Sequence, residues 1–103
     1  MTHEQIKEIL TVEGVTVWYN HAPVGTKVPF VTYTRHNNNN VFADNRVYVK
    51  KGTLSVRLYS SKKDEALEEK LEAAMDAAEL PWSMTDDFDN EDVFITIYES
   101  EVI

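Results

Sequence analysis

The chain has 103 residues, 43% apolar and 27% charged, with a formal net charge of -8. That is one domain (residues 1–103) with room for one two-layered core but not for a deep, multi-walled active site, and its composition argues against global disorder. Ten scattered Lys and Arg residues under that negative balance argue against a nucleic-acid groove or an anionic-membrane binder, and the absence of cysteine excludes disulfides, thiolate nucleophiles and cysteine-type zinc sites.

Met1-Thr2-His3-Glu4 has neither the basic nor the apolar part of a signal peptide, and no apolar run approaches the roughly 18 residues of a membrane span, so a soluble cytoplasmic protein is expected. Thr2 and Gln5 form a capping-box pattern, and Ile6, Ile9 and Leu10 follow at helical spacing until Gly14. Val15, Val17 and Tyr19 alternate with Thr16, Trp18 and Asn20 as a strand. Pro23, Gly25 and Pro29 make 21–29 a loop or broad corner, and Phe30 to His36 a second strand. The run Asn37, Asn38, Asn39, Asn40 interrupts regular structure, and Val41 and Phe42 after it either tuck onto the core or face a partner.

An extended pattern resumes at Val47, bends or bulges at Lys51-Gly52 and continues to Tyr59, with Leu54, Val56 and Leu58 on one face and Thr53, Ser55, Arg57 and Tyr59 on the other. Ser60 to Asp64 supply turn and cap chemistry for a helix whose apolar stripe is Leu67, Leu71, Ala74, Met75 and Ala78. Its other side, Glu65, Glu68, Glu69, Glu72, Asp76 and Glu79, reads as solvated, and the stripe is expected on the Leu54/Val56/Leu58 face. Ser83 to Thr85 enter a short strand, 86–92 an acidic turn, and Val93 to Tyr98 a last strand apolar on both sides. The fold class is α+β: a single mostly antiparallel sheet of four to five strands with two helices on one face, in the order α-β-β-β-α-β-β. The opposite face is expected to collect Thr32, Thr34, Arg57, Tyr59, Phe94 and Tyr98, a composition suited to burial against another subunit.

Catalytic signatures are missing. His3, His21 and His36 have no metal-ligand spacing, and no Gly-rich phosphate loop or nucleophile elbow occurs. Asp87-x-Asp89-x-Glu91 begins like a calcium loop, but Asp92 and Tyr98 stand where that loop needs Gly and Glu. No enzyme activity, cofactor or metal is expected. Trp18 and Trp82 read as core or edge-of-core packing.

The runs Pro29-Phe30-Val31-Thr32-Tyr33, Phe42-Ala43-Asp44-Asn45-Arg46-Val47-Tyr48 and Val56-Arg57-Leu58-Tyr59-Ser60-Ser61-Lys62-Lys63-Asp64, followed by a Glu/Leu-rich helix, resemble small neck proteins of long-tailed bacteriophages and prophages. These are the tail terminator, tail completion or head-to-tail joining proteins, and the resemblance runs from about Ile6 to Val102. It implies a virion subunit, assembled in the host cytoplasm. The subunit would form a homo-oligomeric ring, expected as a hexamer, that caps the tail tube, meets the head connector and passes DNA without sequence-specific binding. Carboxylates facing such a lumen would repel phosphates. The expected assembly contacts are Asn37 to Asn40 with Val41 and Phe42; Arg35, Arg46 and Arg57 toward a neighbour's acidic helix; and Tyr59 and Tyr98 on the open sheet face. The alternative is a small acidic cytoplasmic regulator or inhibitor on a basic surface of a host protein.

Overall fold

The computed structural model describes residues 2–36, 41–43, 46–49, 52–90 and 93–102. The expected contact residues Asn37 to Asn40 and the expected bend at Lys51 lie outside the described residues.

Helix α1 (His3–Leu10) starts at the capping box: the Gln5 amide donates to Thr2 Oγ1 at 3.2 Å and the Thr2 amide donates to Gln5 Oε1 at 2.8 Å. The helix buries Ile6 and Leu10. Strand β1 (Thr16–Tyr19) follows, and Asn20 turns the chain with φ of 71° while its amide donates to Tyr33 O at 2.8 Å. Strand β2 (Phe30–His36) runs parallel to β1, with Val17 beside Val31 and Tyr19 beside Tyr33. A parallel return needs a longer connection than a hairpin turn, which residues 20–29 supply, including a cis Val28–Pro29 bond.

Strands β3 (Val41–Ala43) and β4 (Arg46–Val49) pair with each other as a separate two-stranded sheet. The extended run expected from Val47 to Tyr59, with its bend or bulge at Lys51-Gly52, is divided between two sheets: β4 in this hairpin and β5 (Gly52–Ser60) in the main sheet. Helix α2 (Glu65–Ala77) is capped by Asp64, whose carboxylate accepts from the Leu67 amide at 3.1 Å. It closes with Glu79 at φ of 60°, the Glu79 amide on Asp76 O and the Leu80 amide on Met75 O, so the last carbonyls are satisfied before Pro81.

Strands β6 (Trp82–Asn90) and β7 (Val93–Val102) complete a five-stranded sheet in the order β1-β2-β5-β7-β6, antiparallel except for β1 with β2. The expected acidic turn over 86–92 is corrected for 86–90, which continue β6 in register with β7 after a bulge between Met84 and Asp86, while 91–92 lie outside the described residues. Val93 to Ser100 of β7 offer β6 a ladder broken only by that bulge, and those backbone hydrogen bonds outweigh the weak strand preference of Asp and Asn.

Both helices pack on one face of the sheet. Leu54, Val56 and Leu58 of β5 meet Leu67, Leu71 and Met75 of α2 and Ile6 and Leu10 of α1 in one core, joined by Val17, Val31, Tyr33 and Tyr98. Each fully buried side chain of this size contributes roughly 1.5–3 kcal/mol. No helix among the described residues is long and apolar enough to cross a membrane.

Candidate functional site

Register decides which residues reach the face away from the helices. Thr32, Arg57 and Ile97 are opposite one another on β2, β5 and β7, and so are Phe30, Tyr59 and Ile95. Because alternate residues point to opposite faces, these two rows stand back to back with the buried Val31, Leu58 and Thr96. The Phe30 and Tyr59 rings stack at 4.5 Å between centroids and 18° between planes, which holds both flat across two strands. Thr32 and Ile95 are nearly covered, whereas Arg57 is exposed at the centre.

The connection 20–29 leans over one end of this face. Its Thr26 donates through both backbone N–H and hydroxyl to Pro23 O, at 3.1 and 2.6 Å, and Val24 at its tip is fully exposed. Between the connection and the sheet lies an open groove of about 430 Å³, lined among others by His21, Pro23, Val28, Phe30, Tyr59 and Val93. Its lining is mainly apolar and contains no convergent acid–base pair.

The expected contact residues separate on this frame. Arg57 and Tyr59 belong to the open face. Arg35 is on the helix side of β2, opposite Leu54, half-buried and with interactions of its own. Val41 and Phe42 lie in β3 and Arg46 in β4, outside the main sheet. Tyr98 and Phe94 are corrected to the helix side, and Tyr98 is completely buried. Phe30, Ile95 and Ile97, which take their place on the open face, are not singled out by the sequence reading; the signal that could find them is the phase of Val93, Ile95 and Ile97 against Arg57 and Tyr59, which only the register reveals.

Tyr98 is held by a seam of polar contacts between α2 and the last two strands. Its hydroxyl donates to Glu72 Oε2 at 2.7 Å, and Trp82 Nε1 donates to Asp76 Oδ1 at 2.8 Å, with the Trp82 ring edge-on to Tyr98. Lys63 reaches both Glu68 at 3.3 Å and Asp87 of β6 at 2.9 Å. Glu68, Glu72 and Asp76, spaced four apart, thus form one helix row that accepts hydrogen bonds from three separate donors, which corrects the reading of this row as purely solvated. Glu68 is buried, and that burial pushes its carboxyl above the ordinary range despite the opposing pull of Lys63. The Lys63 ammonium is itself pushed up, chiefly by its hydrogen bond to Asp87.

A group whose pKa is raised on folding contributes stability that is lost as pH rises through the folded value. Lys63→Met removes the cation that restrains Glu68, so it is expected to steepen the loss of stability as pH rises above the ordinary glutamate range. Urea denaturation of both proteins between about pH 4 and 7 checks this, since the unperturbed glutamate value is about 4.3.

Among the described residues no group of three or more His, Asp or Glu side chains is placed to hold a metal ion. Asp87 and Asp89 of the incomplete calcium-loop pattern stand in an extended strand. The arrangement offers surfaces for packing, ion pairing and strand addition. No protein-family model matches the chain, and no curated protein matches it in sequence.

Proposed function

We propose that this chain is a structural subunit of a bacteriophage neck ring that terminates the tail tube and joins it to the head connector. The carrying observation is the one-sided sheet: two helices cover one face, while the other displays the Phe30–Tyr59 stack, Ile97 and the exposed Arg57 with no helix over it. A face of this kind gains by burial against a neighbour, with aromatic and arginine side chains supplying the contact. In a ring the contact is heterologous, one surface meeting a different surface of the next copy, and it closes by rotation. The resemblance of the 29–33, 42–48 and 56–64 runs to neck proteins supplies the phage context and the expected six-fold symmetry. A net charge of -8 suits a passage through which DNA slides without sticking.

The test is electron microscopy of lysates from a phage with an early stop codon in this gene. Filled heads beside unattached tails, especially tails of irregular length, are the expected result. Intact virions at normal titre would overturn the neck role and favour an acidic regulator of a host protein, which a pull-down would then recover as a one-to-one complex.

A further inference from the structure

Among the described residues the outer edge of β6 and the β3–β4 hairpin are both unpaired strand edges, and in sequence β6 and the 41–51 segment carry opposite charge. In the five-stranded sheet β6 has β7 on one side and, among the described residues, no strand on the other along Trp82–Asn90. The edge at the other end, β1, is only Thr16–Tyr19. A long free edge invites another strand, and natural proteins restrain it with bulges and charge. β6 carries both: the bulge at Met84/Asp86 and three acidic residues, Asp86, Asp87 and Asp89, without a basic one. Two copies of β6 laid edge to edge would set these carboxylates against each other, so self-pairing of this edge is disfavoured.

The hairpin has the reverse character. Between Val41 and Lys51 the chain has three basic residues, Arg46, Lys50 and Lys51, and one acidic residue, Asp44, although the whole chain is at -8. Among the described residues its strands pair only with each other, and an isolated two-stranded hairpin is marginal without further pairing. Val41, Phe42, Val47, Tyr48 and Val49 are residue types that favour strands.

We infer that the β3–β4 hairpin of a second copy adds to the outer edge of β6 and extends the five-stranded sheet across the boundary between copies. This rests on the reading of the chain as a ring subunit and names a contact between copies in addition to the open face. Strand addition supplies main-chain hydrogen bonds, and the acidic edge selects a basic strand while rejecting its own copy. Hairpin and edge are different surfaces of one chain, so each copy donates one and accepts the other, the head-to-tail arrangement a ring requires.

Two charge reversals test it. The triple variant Arg46→Glu, Lys50→Glu, Lys51→Glu makes the 41–51 segment of the sequence acidic like β6; the double variant Asp86→Lys, Asp89→Lys leaves that segment basic and gives β6 two lysines against Asp87. Sedimentation of the full-length proteins, with circular dichroism confirming that each folds, is expected to show each variant alone associating at least about tenfold more weakly than the unmodified chain. An equimolar mixture is expected to recover association, because each hairpin then meets an edge of opposite sign. Association of the unmodified protein should also weaken as salt rises. The inference is overturned if either variant alone associates as well as the unmodified chain, if the mixture fails to recover, or if the unmodified chain stays monomeric to its solubility limit. Rings that survive both reversals overturn this contact alone, whereas normal virions from the stop-codon phage overturn the neck role itself.

Discussion

Tyr98→Ala is expected to destabilise the protein by about 3–5 kcal/mol, the range for emptying a fully buried aromatic site. Tyr98 has no exposed surface, packs edge-on against Trp82 and lies opposite Val56 in the centre of the sheet. Tyr98→Phe keeps the ring and removes one hydrogen bond to a charged acceptor, so its cost at neutral pH is about 1.5–3 kcal/mol. The two variants also differ from the parent in alkali. Burial, and then the hydrogen bond to Glu72, push the Tyr98 hydroxyl far above the ordinary tyrosine range, with Glu68 and Asp87 adding repulsion against a phenolate. Above about pH 10 the unfolded chain releases this proton and the folded chain keeps it, so stability falls by up to about 1.4 kcal/mol per pH unit. Lys63, which faces the same seam through Glu68 and Asp87, also loses its proton at high pH, but it is present in both proteins. Urea denaturation of parent and Tyr98→Phe from about pH 8 to 11 should therefore show the alkaline decline shallower in the variant. Identical declines would mean that Tyr98 ionises as freely in the fold as outside it.

The second large effect separates two adjacent residues. Leu58→Ala is expected to cost about 3–5 kcal/mol, because Leu58 is 1% exposed in the core between the sheet and both helices. Arg57→Ala, one residue earlier on the same strand, should change monomer stability by no more than about 0.5 kcal/mol, since its side chain stands exposed on the other face. In the ring reading the same change weakens association, because Arg57 is the charged centre of the open face. Denaturation curves and sedimentation on both variants check the pair. Loss of stability without loss of association for Arg57→Ala would remove this face from the contact.

The parts of the fold legible in the sequence are those where local chemistry and burial agree. Thr2 with Gln5, Asp64 before the Leu67 stripe, and the alternation of Leu54, Val56 and Leu58 each point one way, and each stands in the structure as expected. Strand β7 is different: Val93, Ile95 and Ile97 on one side and Phe94, Thr96 and Tyr98 on the other are comparably apolar, so alternation cannot choose the face. The choice is made by β5, which sets Tyr98 opposite Val56, and by Glu72, which takes the hydroxyl.

Two acidic segments misread for one reason. Asp and Glu point to turns and solvent by composition, but Glu68, Glu72 and Asp76 find Lys63, Tyr98 and Trp82, partners distant in sequence or on another element. Likewise 86–90 is a turn by composition and a strand by pairing with β7. The parallel entry of β1 depends on where the connection 20–29 leads, which turn residues alone do not specify. The candidate contact surface is a matter of register throughout, which is why Tyr59 and Arg57 were legible on β5 while Phe30, Ile95 and Ile97 were not.

The two tryptophans give the molecule a pair of built-in optical probes. Trp82 is half-buried, with its indole N–H on Asp76 and its ring against Tyr98, so its emission reports whether α2 is docked on the sheet. Trp18 is exposed on β1, its indole N–H on Thr16 Oγ1 at 3.2 Å, and shares the open face with Thr32. Acrylamide, an uncharged quencher indifferent to the acidic surface, reaches Trp18 before Trp82. Burial of the open face in an assembly shields the first indole, and undocking of α2 exposes the second, so one quenching titration follows both events without any added label.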